Sequence, residues 1–345
     1  MAISSLLRAQ NVSNVEAKQI SNTIEINYTL DQLADISLHM SFNGGKSYTY
    51  TPRVLSGDIG KDITAGRNKI IWNWKNEGIH ENMHNVCFKV IATLRSDLSK
   101  EIFSIYGVTF AMIKVEGGTF TMGATSEQGS DAESNEKPKH KVTLSDYYIG
   151  QTEVTQELWE AVMGTTIQQQ RDKENRSLVL KGTGDRYPMY FVNLYECQQF
   201  VKALNSLLYN KLNGKKFALP TEAQWEFAAR GGTKSNTYKY SGSNDINIVA
   251  WYSYNAQSSS HKVGLKAPNE LGIYDMSGNV WEWCQDWYGG YKGFSQTNPT
   301  GSDKGNGYVY RGGSWYNGAQ SSRVSYRVHD AGTRHNHIGF RLVLQ

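Results

Sequence analysis

From residue 233 to its end the sequence shows almost no hydrophobic periodicity, yet it carries Trp251, Trp281, Trp283, Trp287 and Trp315. Amphipathic helices repeat at about 3.6 residues and half-buried strands at about 2, and this Gly-, Asn- and Ser-rich stretch fits neither template. A structureless segment of that length is rare in a compact domain. Its tryptophans demand burial, so packing or a bound ion must order it. Composition agrees: 33 Gly against 6 Pro, with 12% aromatic residues, points to short strands, many turns and ordered loops. A net charge of +4, with no dense Lys/Arg cluster, predicts no nucleic-acid partner. No run of 18 apolar residues is present, so no transmembrane helix is expected.

Upstream the signals are conventional. Ile24, Ile26, Tyr28 and Leu30 alternate with polar residues, as do Ile36, Leu38, Met40 and Phe42, and Val86, Phe88, Val90, Ala92 and Leu94. Period two means strands with one buried face. Asn43-Gly44-Gly45 supplies a hairpin turn, and residues 70–74 read as a further strand. The spacing predicts an all-β immunoglobulin-like sandwich over residues 18–107, acting as spacer or docking module. A junction is expected at 96–112, then a strand pair (112–115 and 119–122) and a loop over 124–141. Thr155 caps a helix that Gly164 ends. Residues 193–208 form a second helix, with Leu194, Cys197, Val201, Leu204 and Leu208 on one face. Thr221 and Gln224 make a capping box for a third, stopped by Gly231-Gly232.

Cys87, Cys197 and Cys284 lie far apart with no metal-binding spacing, and read as small buried hydrophobes. Residues 1–17 form an N-terminal extension. Its first ten residues are too short for a full signal peptide, and fit either the remnant of one or a frayed terminus.

Seven motifs then follow in order: Val115-Glu-Gly-Gly-Thr-Phe-Thr-Met-Gly123, Pro138-Lys-His140, Tyr148-Ile-Gly-Gln-Thr-Glu-Val-Thr155, Leu219-Pro-Thr-Glu-Ala-Gln-Trp-Glu-Phe-Ala-Ala-Arg-Gly231, Leu271-Gly-Ile-Tyr-Asp-Met-Ser-Gly-Asn-Val-Trp-Glu-Trp283, Arg311-Gly-Gly-Ser-Trp315 and Gly339-Phe-Arg341. In this order residues 108–345 resemble the formylglycine-generating enzyme (sulfatase-modifying factor) family. The resemblance implies an α+β, C-type-lectin-like domain: a few helices, a small mixed sheet and much ordered loop.

Oxidases of that family hold copper between two cysteines after the Arg-Gly-Gly-Ser motif, because copper(I) requires soft thiolates. Those positions fall near Asn317 and Ser322 here, so copper binding is not expected and no catalytic residue is assigned. The resemblance also implies a calcium ion at a turn: side chains of Asp275 and Glu282, carbonyls of Gly278 and Val280, all hard oxygen donors. A second family calcium site would lie around Asn247. His335 and His337 share a face but lack a third metal ligand in view. The segment from Tyr316 to Asn336 falls where the family's active-site groove lies. Tyr316, Asn317, Ser322, Arg323, Tyr326, Arg327, His329 and His335 are its candidate ligand contacts, in the residue vocabulary of adaptable recognition surfaces. The same fold displays ligand-binding residues in phage and bacterial variable proteins.

The resulting expectation is a non-catalytic ligand-binding or structural module of an exported bacterial protein, periplasmic or at the cell surface. Its partner would be a peptide or glycan, or another protein of a secreted assembly. Bacteroidetes-type exported proteins with the same two-part layout are similar. The alternative is a formylglycine-generating oxidase working through a non-standard site.

Overall fold

The computed structural model describes residues 12–30, 34–63, 66–78, 85–94 and 100–345. Residues 1–11 of the N-terminal extension, and the signal-peptide reading of them, lie outside the described residues. The chain divides into two compact units, Met1–Leu98 and Ser99–Gln345.

The first unit is a β-sandwich. One sheet runs Val12–Ile20, Thr23–Leu30, Gly66–Trp72, Leu55–Gly57; the other runs Gly60–Ile63, Ala34–Ser41, Cys87–Leu94. The period-two side chains meet between them: Ile24, Ile26, Tyr28, Ile36, Leu38, Met40, Ile70, Trp72 and Val90 are all buried. The segment after Trp72 turns instead of extending the strand, and the turn positions Glu77. Its carboxylate accepts from Tyr50 Oη (2.7 Å), Trp72 Nε1 (2.6 Å), Arg53 N (2.7 Å) and Val54 N (3.3 Å). Burial opposes ionisation, but these donors hold the Glu77 carboxyl below its usual range.

The second unit begins earlier than the sequence division at 107/108. Lys100–Ile105 pairs antiparallel with Val108–Val115 across a turn at Tyr106 and Gly107, both at positive φ. Phe103 and Ile105 are buried by it, so the strand belongs to this unit's core. A five-stranded sheet runs Phe217–Ala218, Val343–Leu344, Tyr147–Gly150, Val108–Val115, Lys100–Ile105, placing the last strand of the chain near its centre. Three expected helices form: Gln156–Met163 capped by Thr155, Leu194–Leu208 capped by Asn193 with Glu196, and Glu222–Ala229 capped by Thr221 with Gln224. A fourth, Ile167–Glu174, carries a Thr166/Gln169 capping box that the sequence reading passed over. The expected loop 124–141 contains two short 3-10 turns, and its end enters the strand His140–Leu144.

The aperiodic stretch is ordered. Trp281–Trp287, Tyr308–Arg311, Arg327–Asp330 and Ile338–Gly339 make a four-stranded sheet. Trp281, Trp283 and Trp315 are buried.

Glu77 joins three segments of the sandwich through charged hydrogen bonds. Glu77→Ala should lower the stability of the first unit by roughly 2–4 kcal/mol in urea unfolding. A change below about 1 kcal/mol would remove it from this role.

Candidate functional site

The Asp275–Glu282 turn is built from backbone that few residues tolerate. Asp275, Gly278 and Asn279 all have positive φ, and a Cβ on Gly278 would stand 2.4 Å from the Trp251 carbonyl. Gly278 N donates to Gly312 O (2.7 Å), Asn279 N to Trp251 O (2.8 Å), and Ser277 Oγ to Ser322 O (2.7 Å). The turn is thereby knitted to the loop that follows Arg311.

Its acids are buried and unequal. Glu282 is saturated: Arg341 donates through Nε (2.6 Å) and Nη2 (2.5 Å), and Trp225 through Nε1 (2.6 Å). Asp275 Oδ2 accepts from Gly264 N (2.7 Å), while Oδ1 is buried without a partner. Beside it lies Glu153, whose Oε1 accepts from Asn279 Nδ2 (3.0 Å) and whose Oε2 is likewise unpartnered. Burial, then the charges of Asp275 and Glu282, drive the Glu153 carboxyl well above its ordinary range. Burial is also the main cause that raises Asp275 to about 6. An orphaned buried carboxylate oxygen at Asp275 fits a hard cation. Among the described residues, no three His, Cys, Asp or Glu side chains form a ready metal cage, so backbone carbonyls and water would complete the shell. At Asn247 the ligand atoms are taken: its carbonyl accepts from Lys266 Nζ (2.7 Å) and its side-chain oxygen from Tyr252 Oη (3.2 Å). Lys266 thus brings an ammonium group onto the Asn247 carbonyl.

The segment 316–336 separates into an inner and an outer set. Arg323 is fully buried and grips Glu136 through Nη2 (2.5 Å) and Nη1 (2.9 Å). Arg327 grips Glu222 through Nε (2.7 Å) and Nη2 (2.6 Å), and lies 4.0 Å from the Tyr291 ring centre. Ser322 is buried too. These three, expected as groove contacts, face inward, because buried carboxylates from distant segments need guanidinium partners. The outer set is Tyr316, Tyr326, His329 and His335. Tyr316 is 66% exposed and stacks on His337 at 5.7 Å; His335 lies 5.4 Å from His337 and accepts or donates to Thr333 Oγ1 at 2.9 Å. Burial, then the His335 charge, lowers His337 to about 4. His329 stacks on Tyr288 (4.1 Å), and Tyr326 leans on Trp281 (6.1 Å).

Residues 107–345 match the sulfatase-modifying factor enzyme 1-like domain family, that of the formylglycine-generating enzymes. The chain belongs to this family. The chaperone protein LppX of Paenibacillus barcinonensis is 30% identical over 262 residues, covering 62% of this chain and 82% of that protein. The formylglycine-generating enzyme of Streptomyces coelicolor is 28% identical over 254 residues, covering 60% and 79%. The serine/threonine-protein kinase pkn1 of Chlamydia pneumoniae is 30% identical over 249 residues, 67% of this chain but only 37% of the kinase. Among solved structures, Treponema denticola variable protein 1 superposes with a TM-score of 0.60 at 33% identity, covering 71% of this chain and 98% of that one. PvdO from Pseudomonas aeruginosa superposes at 0.55 and 23% identity, a likeness of fold. The α+β fold with curled sheets and few helices is that of the formylglycine-generating enzymes.

Asn317 and Ser322, near which the resemblance would put the oxidase cysteines, carry other chemistry. Asn317 Oδ1 accepts from Trp281 Nε1 (2.8 Å) and Ser314 Oγ (2.6 Å). The Ser322 hydroxyl is buried without a partner. Cys197 and Cys284 are buried, and burial raises both thiols well above their usual range. Sequence reading assigned no role to Glu153 or Glu136. Glu153 sits inside the Tyr148–Thr155 motif, between half-buried Thr152 and buried Val154; Glu136 carries no local mark, since its partner Arg323 lies far along the chain.

Two outcomes follow from the buried charges. Arg323→Ala leaves Glu136 unpaired, and should cost roughly 3–5 kcal/mol in chemical denaturation; a loss under about 1 kcal/mol would place Arg323 back at the surface. Asp286, which caps the Glu222–Ala229 helix by accepting from Glu222 N (3.0 Å), is raised from 3.8 to about 8 by burial and then by the Glu222 charge. The folded chain keeps a proton there that the unfolded chain has lost. Stability should therefore fall as pH rises across that window and level off above it. Asp286→Asn should flatten this part of a Tm–pH profile, and an unaltered slope would reject the assignment.

Proposed function

We propose that this family member is not an oxidase but a ligand-binding or structural module of an exported protein. The observation that carries the reading is the chemistry at residues 317 and 322. Copper(I) held between two thiolates needs two exposed soft ligands. Here one position is an amide oxygen already accepting two hydrogen bonds, and the other a hydroxyl. Neither Cys197 nor Cys284 supplies a substitute, since each is buried and hard to ionise.

What remains around residue 317 is an aromatic and imidazole surface of Tyr316, His335 and His337, with Tyr326 leaning on Trp281. Aromatic rings offer large, rigid contact area with polar rims, suited to the backbone of an extended peptide or to sugar rings. The buried guanidinium pairs beneath keep those rings in place. The calcium ion of the family is proposed at the Asp275 turn, where the carboxylate of Asp275 and the carbonyls of Gly278 and Val280 would hold it. Its role would be structural: it would neutralise buried carboxylate charge and fix the turn.

Incubating the copper(I)-loaded chain with oxygen and a peptide containing a Cys-x-Pro-x-Arg stretch tests the reading by mass spectrometry. No aldehyde is expected above a no-protein control, and no thiolate-to-copper absorption should develop. Formylglycine in the peptide would overturn it.

A further inference from the structure

We propose that the acidic ligands of the cation at the Asp275 turn are Asp275 and Glu153, with Glu282 committed to Arg341. The inference rests on the calcium reading above and changes which carboxylates hold the ion. Three carboxylates, those of Glu153, Asp275 and Glu282, are each at most 2% exposed. They share one guanidinium, that of Arg341, which is fully buried. If all are ionised, the cluster carries an excess of two negative charges, matched by one divalent ion. In a low-dielectric interior such an excess is not tolerated without protons or a cation.

The geometry says where the cation goes. Glu282 receives three strong donors: the Arg341 fork at 2.6 and 2.5 Å and the Trp225 indole at 2.6 Å. A metal ion on the same oxygens would stand against a guanidinium of like sign. Glu153 and Asp275 are the reverse. Each has one oxygen oriented by a neutral donor, Asn279 Nδ2 for Glu153 and Gly264 N for Asp275. Each has its other oxygen buried with no hydrogen-bond partner except the opposing carboxyl group. A buried oxygen left without a partner is costly, and a hard cation accepts it directly. Glu153 also lies at the edge of a cleft of about 220 Å³ that Lys100, Glu157 and Arg186 border. Bound there, the ion would tie the segment leading into the Gln156–Met163 helix to the Asp275 turn.

Calcium chloride titrated calorimetrically into the chelator-stripped full chain, with folding checked by near-ultraviolet circular dichroism, tests this. Glu153→Gln and Asp275→Asn should each weaken binding at least about tenfold, whereas Glu282→Gln, which removes charge but no ligand, should weaken it clearly less than either. Wild-type affinity in Glu153→Gln, or abolition by Glu282→Gln alone, would overturn the assignment while leaving calcium in place. No calcium binding by the wild-type chain would instead remove the calcium reading itself, and this inference with it. If the variants do not fold, crystals of the unaltered chain grown with calcium decide. An ion about 2.3–2.6 Å from Glu153 Oε2 and Asp275 Oδ1 supports the proposal, and one on the Glu282 oxygens defeats it.

Discussion

The second unit is held in shape by buried pairs between arginine and carboxylate. Arg311, Arg323, Arg327 and Arg341 are each at most 2% exposed. Arg311 pairs with Glu226, Arg323 with Glu136, Arg327 with Glu222 and Arg341 with Glu282. Apolar burial is non-directional and cannot by itself choose among the many ways an aperiodic loop can collapse. A guanidinium fork is directional: it accepts a carboxylate in one plane and aims its remaining N–H groups elsewhere. Those remaining groups go to backbone carbonyls. Arg311 reaches Tyr326 O, Arg327 reaches Gly289 O, and Arg341 reaches Gly150 O and Tyr274 O. Acceptors of irregular backbone at Tyr274, Gly289 and Tyr326, and of the strand end Gly150, are thus satisfied.

This explains which parts of the molecule were legible in sequence. The sandwich strands were, because Ile24, Ile26, Tyr28 and their partners obey a period that geometry imposes locally. The helices starting after Thr155, Asn193 and Thr221 were, because a cap acts over three residues. The Ile167–Glu174 helix escaped because Gln168-Gln169-Gln170-Arg171 presents no apolar stripe; only its Thr166/Gln169 box marked it. The hairpin joining Lys100–Ile105 to Val108–Val115 was read as a junction, although Tyr106-Gly107 is its turn.

The site was half legible for the same reason. The Asp275–Glu282 turn announced itself by a short motif. The fate of Arg323 depended on Glu136, 187 positions away, and that of Arg327 on Glu222, 105 away. Composition presented both arginines as recognition residues; only the fold shows that they are structural. Glu153 was hidden differently. It lies within a quoted motif, but its significance comes from two unpartnered oxygens meeting across segments 122 residues apart, taking 275 less 153.

The loop bearing residues 317 and 322 is anchored by protein groups alone. Asn317 holds the Trp281 indole and the Ser314 hydroxyl through its side chain, and Ser253 N through its carbonyl. The Ser322 carbonyl holds Ser277 of the Asp275 turn. Beneath them, Arg311 and Arg323 fix the strand before the loop and the segment after it. A metal bridging two side chains on such a loop adds chemistry to a conformation that already exists. The loop is thus a preorganised surface, with Tyr316, His335 and His337 stacked on one another. A surface of that kind suits binding, since little conformational entropy remains to be lost when a ligand arrives.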